Sequence, residues 1–227
     1  MGISCKETTL NKGKDLFVCF DVQEKYYMPQ YIPVAQVLIN KGFIVTFVSH
    51  GVRLDTIRGA KTNYIPKGMR EVDFYNRLKP DWLIIGNSFQ DITRLNENIK
   101  TALVSHGIGP KACYYTVSET PTDVRFVEGP YRTERLRQMY PNQTFIDTGY
   151  AKLDPAINGE LSGASPSYYG LDNNKKTLLY APTFYPSSIE RFSRSFPQDF
   201  GQYNIILKPH YFSLSIEKYK KQKALLE

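Results

Sequence analysis

Short apolar runs alternate with longer amphipathic stretches along most of this chain. Asp15-Leu-Phe-Val-Cys-Phe-Asp21 is a continuous apolar run closed by charges, the pattern of a parallel strand buried on both faces. Tyr31 to Asn40 sets Ile32, Ala35, Val37, Leu38 and Ile39 at helical spacing, with Pro33 tolerable in a first turn and Lys41-Gly42 as the stop. Phe43 to Ser49 is rich in β-branched residues, so these segments predict a right-handed βαβ unit. The alternation continues through strands at 62–65, 81–85, 101–105, 124–127 and 144–147, with helices around 71–78, 93–100 and 131–139. Such an order calls for a doubly wound α/β fold, a parallel sheet with helices on both faces.

From Asn158 to Lys176 the chain turns polar and small, with Gly159, Gly163, Pro166, Gly170 and Asn173-Asn174, which reads as a linker. Thr177 to Tyr180 and Tyr203 to Leu207 follow as two further strands of the buried type. The expected organisation is therefore a Rossmann-like lobe over 1–157, a linker over 158–176 and the start of a second lobe over 177–227. Two parallel strands cover neither their own edges nor their faces, so the second lobe is expected to be incomplete and to continue beyond Glu227.

Composition narrows the setting. With 227 residues, 41% hydrophobic and 22% charged, the chain is globular. Its three cysteines are odd in number and form no CxxC pair, which favours a reducing compartment. The start MGISCKETTL has no apolar core of a leader, Lys6 breaks the myristoylation pattern, and no run reaches the length of a membrane span. A cytoplasmic protein is expected. The net charge of +7 favours anionic partners, either nucleotide phosphates or an anionic membrane surface. Its basic residues are scattered, and 218–223 reads as a solvated helix face, so nucleic acid is not expected. There is no GxGxxG, Walker A or HExxH motif and no cysteine or histidine cluster. Neither a cofactor nor a metal is called for.

The candidate chemistry lies in three histidines, His50, His106 and His210, each just after a predicted strand. In open α/β sheets that is the ligand-binding end. For His50 a structural hydrogen bond is the favoured reading. His106 sits in Ser105-His-Gly-Ile-Gly-Pro-Lys111, where Gly107 and Gly109 would admit a phosphate close to the backbone and Lys111 adds a cation. An imidazole also suits removal of a proton from an acceptor hydroxyl. In Leu207-Lys-Pro-His210, Lys208 and His210 are placed to reach a diphosphate, and Thr183 in Tyr180-Ala-Pro-Thr183 offers a hydroxyl to a phosphate or base. The pairs Tyr26-Tyr27, Tyr114-Tyr115 and Tyr168-Tyr169 read as packing or as membrane-interface residues.

Taken in order, Ser105-His-Gly-Ile-Gly-Pro-Lys111, Thr148-Gly-Tyr-Ala-Lys-Leu-Asp154, Leu179-Tyr-Ala-Pro-Thr183 and Leu207-Lys-Pro-His210 resemble the CDP-glycerol glycerophosphotransferase family, whose members build teichoic acids and related capsule polymers. Ala151 and Lys152 depart from that family's Pro-Arg, and Phe184-Tyr185 from its frequent Trp-Arg. The resemblance implies a GT-B-like fold of two lobes with the active site in the cleft between them. It also implies His106 as general base and His210 with Lys208 as donor ligands, while Asp154 matches the acidic position of the second motif. The implied donor is CDP-glycerol or a related CDP-polyol. The implied acceptor is a lipid-linked or polymeric glycan, on a protein held peripherally at the inner face of the membrane. A nucleotide-sugar glycosyltransferase and a non-catalytic binding module are the alternatives.

Overall fold

The structure, a computed structural model, describes residues 16–193, 195–196 and 198–226. The expectations about Cys5, Lys6 and the leader concern segments outside the described residues. The chain divides into two compact units between Leu161 and Ser162.

In the first unit, seven apolar segments become strands: β1 (Phe17–Val22), β2 (Ile44–Ser49), β3 (Ala60–Tyr64), β4 (Trp82–Ile85), β5 (Lys100–Val104), β6 (Val124–Val127) and β7 (Phe145–Asp147). They form one parallel sheet in the order β3-β2-β1-β4-β5-β6-β7. Because the order reverses between β1 and β4, the carboxyl ends of these two strands flank a crevice, the place where doubly wound sheets take ligands. The sheet is covered by α1 (Met28–Asn40), α2 (Glu71–Leu78) and α4 (Pro130–Met139). Shorter turns of helix are α3 (Cys113–Thr116) and α5 (Asp154–Ile157). One apolar cluster joins Phe20, Phe47, Ile84 and Val104 to Tyr27, Tyr31 and Ala35 of the α1 side; another gathers Cys19, Leu83, Leu103, Val72 and Tyr75 on the α2 side. Full burial of each Val, Leu, Ile or Phe among them contributes about 1.5–3 kcal/mol. Cys19 behaves as a small hydrophobe, fully buried and with its thiol pushed far up by desolvation.

Three expectations are corrected. Helix α1 begins a turn earlier than expected, with Pro29 in its first turn, so Pro33 lies inside it. That Pro33 removes one helical hydrogen bond. The helix turns Met28, Tyr31 and Ala35 to the sheet and leaves Ile32 and Val37 exposed. The helix expected over 93–100 is a single 3-10 turn at Ile92–Arg94. The Asn96 side chain accepts the Asn98 amide at 3.0 Å, an Asx turn that competes with helix.

The second unit holds β8 (Lys176–Tyr180) and β9 (Tyr203–Leu207), paired in parallel with Tyr180 opposite Leu207, then α6 (Tyr211–Ser215) and α7 (Lys220–Leu226). These strands were expected to be buried. Leu178, Leu179 and Leu207 are exposed instead, because a two-stranded sheet has only the segments around it as cover. Its ordered centre is polar: the buried Gln222 accepts from Ser213 Oγ at 2.8 Å and donates to the Phe184 carbonyl at 2.8 Å. Asn204 ties β9 to the turn at Asp172 and Lys175.

Candidate functional site

At the carboxyl end of β5, His106 is held by segments from three other parts of the first unit. Its Nδ1 lies 2.7 Å from the carbonyl oxygen of Gly86, the residue that follows β4. A carbonyl only accepts, so Nδ1 carries the hydrogen and, in the neutral ring, Nε2 is left as a lone-pair acceptor. The ring of Tyr27, from the turn entering α1, stacks on the imidazole at 4.6 Å and 10°, and Tyr26 meets it edge-on at 5.3 Å. Tyr150, after β7, donates its hydroxyl to the His106 carbonyl at 3.0 Å. Burial holds the imidazole below its ordinary value; the Gly86 bond acts against this and the Lys152 ammonium reinforces it.

The second motif therefore comes to the first through ordinary packing. The Lys152 amide donates to Oε1 of Gln30 at 2.8 Å, and Gln30 is a buried residue of α1. Asp154 follows as the exposed first residue of α5.

Two arginines clamp the loop after β5. Arg125, on β6 and fully buried, donates to Ser118 Oγ, to Ser105 Oγ at 3.2 Å and to the Tyr114 carbonyl at 2.7 Å. Desolvation pushes its guanidinium down to about 10, still charged at neutral pH. Arg132, in the first turn of α4, pairs with Glu128, donates to the Gly109 carbonyl at 2.5 Å and lies 4.4 Å from the centre of the Tyr115 ring.

Gly107 and Gly109, the expected phosphate cradle, lie against Tyr114. A Cβ on Gly107 would stand 2.8 Å from Tyr114 Oη, and one on Gly109 3.3 Å from the same ring. The room made by both glycines is filled by the Tyr114 side chain. Lys111 is exposed in the turn before α3.

His50 has the structural bonds expected of it, within a larger group. Asp21, wholly buried at the end of β1, accepts from Tyr75 Oη at 2.6 Å and Gln23 Nε2 at 3.1 Å, and lies 2.6 Å from His50 Nε2. Glu71 stands 3.6 Å from the other ring nitrogen. Burial alone would depress His50, but the bond to Asp21 and the two carboxylates outweigh it and raise its pKa.

In the second unit, the motifs at 179–183 and 207–210 lie at the same end of the paired strands β8 and β9. His210 caps α6: its Nδ1 accepts the Phe212 amide at 3.1 Å, so in the neutral ring the hydrogen sits on Nε2. Phe184 lies against it at 4.7 Å, next to the half-buried Thr183, and Lys208 is exposed.

Gln30 and Gly86 carried no signal in the sequence. Tyr27 carried one only as half of an aromatic pair. Arg125 was legible in principle, as a lone charge within the buried run Val124-Arg-Phe-Val127.

No family model matches the chain, and no curated protein matches it in sequence. Solved structures do. One is the wall teichoic acid polymerase TagF, with a TM-score of 0.58, 15% identity and coverage of 91% of this chain. The fold is GT-B-like. UDP-N-acetylglucosamine 2-epimerase from Rickettsia bellii aligns with a TM-score of 0.58 at 12% identity over 94% of the chain, and the putative enzyme of that name from Listeria monocytogenes with 0.57 at 13% over 94%. The chain spans 59% of the TagF structure and 66% of each of these two epimerases. Among the described residues no helix is long and apolar enough to cross a membrane, and no cluster of side chains could hold a metal ion.

Proposed function

We propose that the chain carries the machinery of a polyol-phosphate transferase, moving glycerol phosphate or a related group from a CDP-activated donor to a hydroxyl of a lipid-linked or polymeric glycan. The reading rests on one observation above the others: the two motif histidines are set by their backbone partners to opposite hydrogen-bonding roles. In this reaction the acceptor oxygen attacks the phosphorus bearing the polyol, the bridging phosphorus–oxygen bond breaks, and CMP leaves. His106 Nε2 takes the hydroxyl proton, a role that a buried imidazole kept neutral near pH 7 fills well. His210 Nε2–H and Lys208 contact the diphosphate, where negative charge accumulates on the departing phosphate, and Thr183 adds a hydroxyl donor. Asp154 and Lys111 belong to acceptor binding in this scheme, and the basic character of the chain favours an anionic membrane surface. The likeness to TagF, one structure of which was soaked with CDPG, supports this choice of donor.

The epimerase likenesses favour a second reading, in which the same site serves a UDP-sugar donor. Isothermal titration of the chain with CDP-glycerol and with UDP-N-acetylglucosamine separates the two. Preference for CDP-glycerol, with CMP released in the presence of a prenyl-diphosphate-linked glycan, is the expected result. Equal or tighter binding of the UDP-sugar transfers the assignment to a glycosyltransferase.

A further inference from the structure

The His106 ring is bonded through Nδ1 to the Gly86 carbonyl, and such a bond by itself leaves a ring able to swing about the donor–acceptor axis. What limits the swing is the neighbouring ring. Tyr27 is 1% exposed and lies nearly parallel to the imidazole. We propose that Tyr27 is a positioning residue for His106, holding the imidazole against the Gly86 carbonyl so that Nε2 stays without hydrogen and is presented as the proton acceptor. This deepens the reading of His106 as the base and rests on it.

Three features support the assignment. Tyr27 is itself fixed: its ring packs edge-on against Tyr31 and Tyr26, and its hydroxyl lies 3.4 Å from Gln23 Oε1. Gln23 in turn donates to Asp21 and to the Ser88 carbonyl, so the stacking ring is anchored through a polar chain to the buried Asp21. Gly86 serves both partners. It supplies the carbonyl that fixes Nδ1, and a Cβ there would fall 2.7 Å from Tyr27 Cδ2, so glycine is what lets the ring sit beneath the histidine. Finally, the ionisable groups facing His106 do not confuse its titration. Tyr26, Tyr27, Tyr114 and Tyr150 are all raised, mainly by burial, and stay neutral through the range in which an imidazole titrates.

The test is nuclear magnetic resonance of the imidazoles in the whole chain, which has three histidines; His50→Gln and His210→Gln assign the signals. In the parent protein His106 is expected to titrate below about 6.5 as the Nδ1–H tautomer. Tyr27→Phe loses the long bond to Gln23 but keeps the ring and its packing against Tyr31 and Tyr26, and should leave both properties nearly unchanged. Tyr27→Leu removes it and should raise the midpoint by roughly half a pH unit, about a threefold change in proton affinity, with Nε2–H tautomer appearing. Should the leucine variant fail to fold, Tyr27→Met supplies the same comparison. A leucine or methionine variant that titrates as the parent with its tautomer intact overturns the proposal, as does a phenylalanine variant that is as disturbed as the leucine one. None of these readings uses turnover. Failure of the base assignment would show separately, as retained turnover in a folded His106→Gln protein.

Discussion

The loops after β5 and β9 both end a parallel strand and both carry a histidine, yet they hold it in different ways. The first is bound on many sides, by Gly86, Tyr27, Tyr150 and the two arginines, and its imidazole donates through Nδ1. The second is part of a helix cap, in a smaller unit whose strands expose leucines, and its imidazole accepts through Nδ1. The same side chain is thereby set as a hydrogen-bond acceptor at Nε2 in one place and as a donor there in the other. A backbone carbonyl or amide is enough to choose the tautomer.

Glutamine breaks this comparison most sharply, since its amide can donate as His210 Nε2 does but cannot take a proton as His106 does. We expect His106→Gln to lower kcat by roughly 10²-fold or more with little change in donor affinity, and His210→Gln to keep much of the wild-type rate. Steady-state kinetics with CDP-glycerol checks both; similar losses in the two variants would erase the distinction.

The clamp on the first loop comes next. Arg125→Met leaves Ser105, Ser118 and the Tyr114 carbonyl without their buried donor, and we expect a loss of about 2 kcal/mol in chemical denaturation of the first unit. A change below about 0.5 kcal/mol would mean that the loop does not depend on it.

For the second loop, His210→Asn keeps a side-chain acceptor for the cap but loses the distal donor. Thermal stability is expected to hold within about 0.5 kcal/mol while donor affinity falls roughly tenfold, about 1.4 kcal/mol. Calorimetry decides, and unchanged affinity would remove His210 from the diphosphate.

The smallest effect is on pH dependence. His50 has a raised pKa in the folded chain, so its contribution is fully present below about pH 6.5 and is lost as pH rises through the folded value. His106 is depressed, so the unfolded chain binds its proton first and stability falls as pH drops from about 6.5 towards the folded value. Denaturation of His50→Gln and His106→Gln proteins across pH 5 to 8 should remove slopes of opposite sign.

The strands of the sheet were legible because a strand covered on both faces must be a mainly apolar run, as β4 is throughout and β1, β2 and β5 are over most of their length. The segment at 93–100 misled because its polar residues suit a helix surface as well as a turn, and the choice was made by Asn96 side-chain bonds. At the site, His106 and His210 could be picked out by their place after strands. Their tautomers could not, since these depend on Gly86, twenty residues before His106 in the chain, and on a helix cap. At Gly107 and Gly109 the neighbour that a side chain would meet, Tyr114, was not legible from the local motif.

The bond between the Lys152 amide and Gln30 joins residues 122 positions apart. A contact of that span repays its loop-closure entropy only after most of the intervening chain has found its place. On a ribosome, α1 emerges long before its partner, and Tyr150 and Lys152 join the surroundings of His106 and α1 only once the chain beyond β7 has been made. The packing around His106 is thus completed late in the assembly of the first unit. A nascent chain released before Lys152 would hold the whole sheet but lack the bond that ties the second motif to α1.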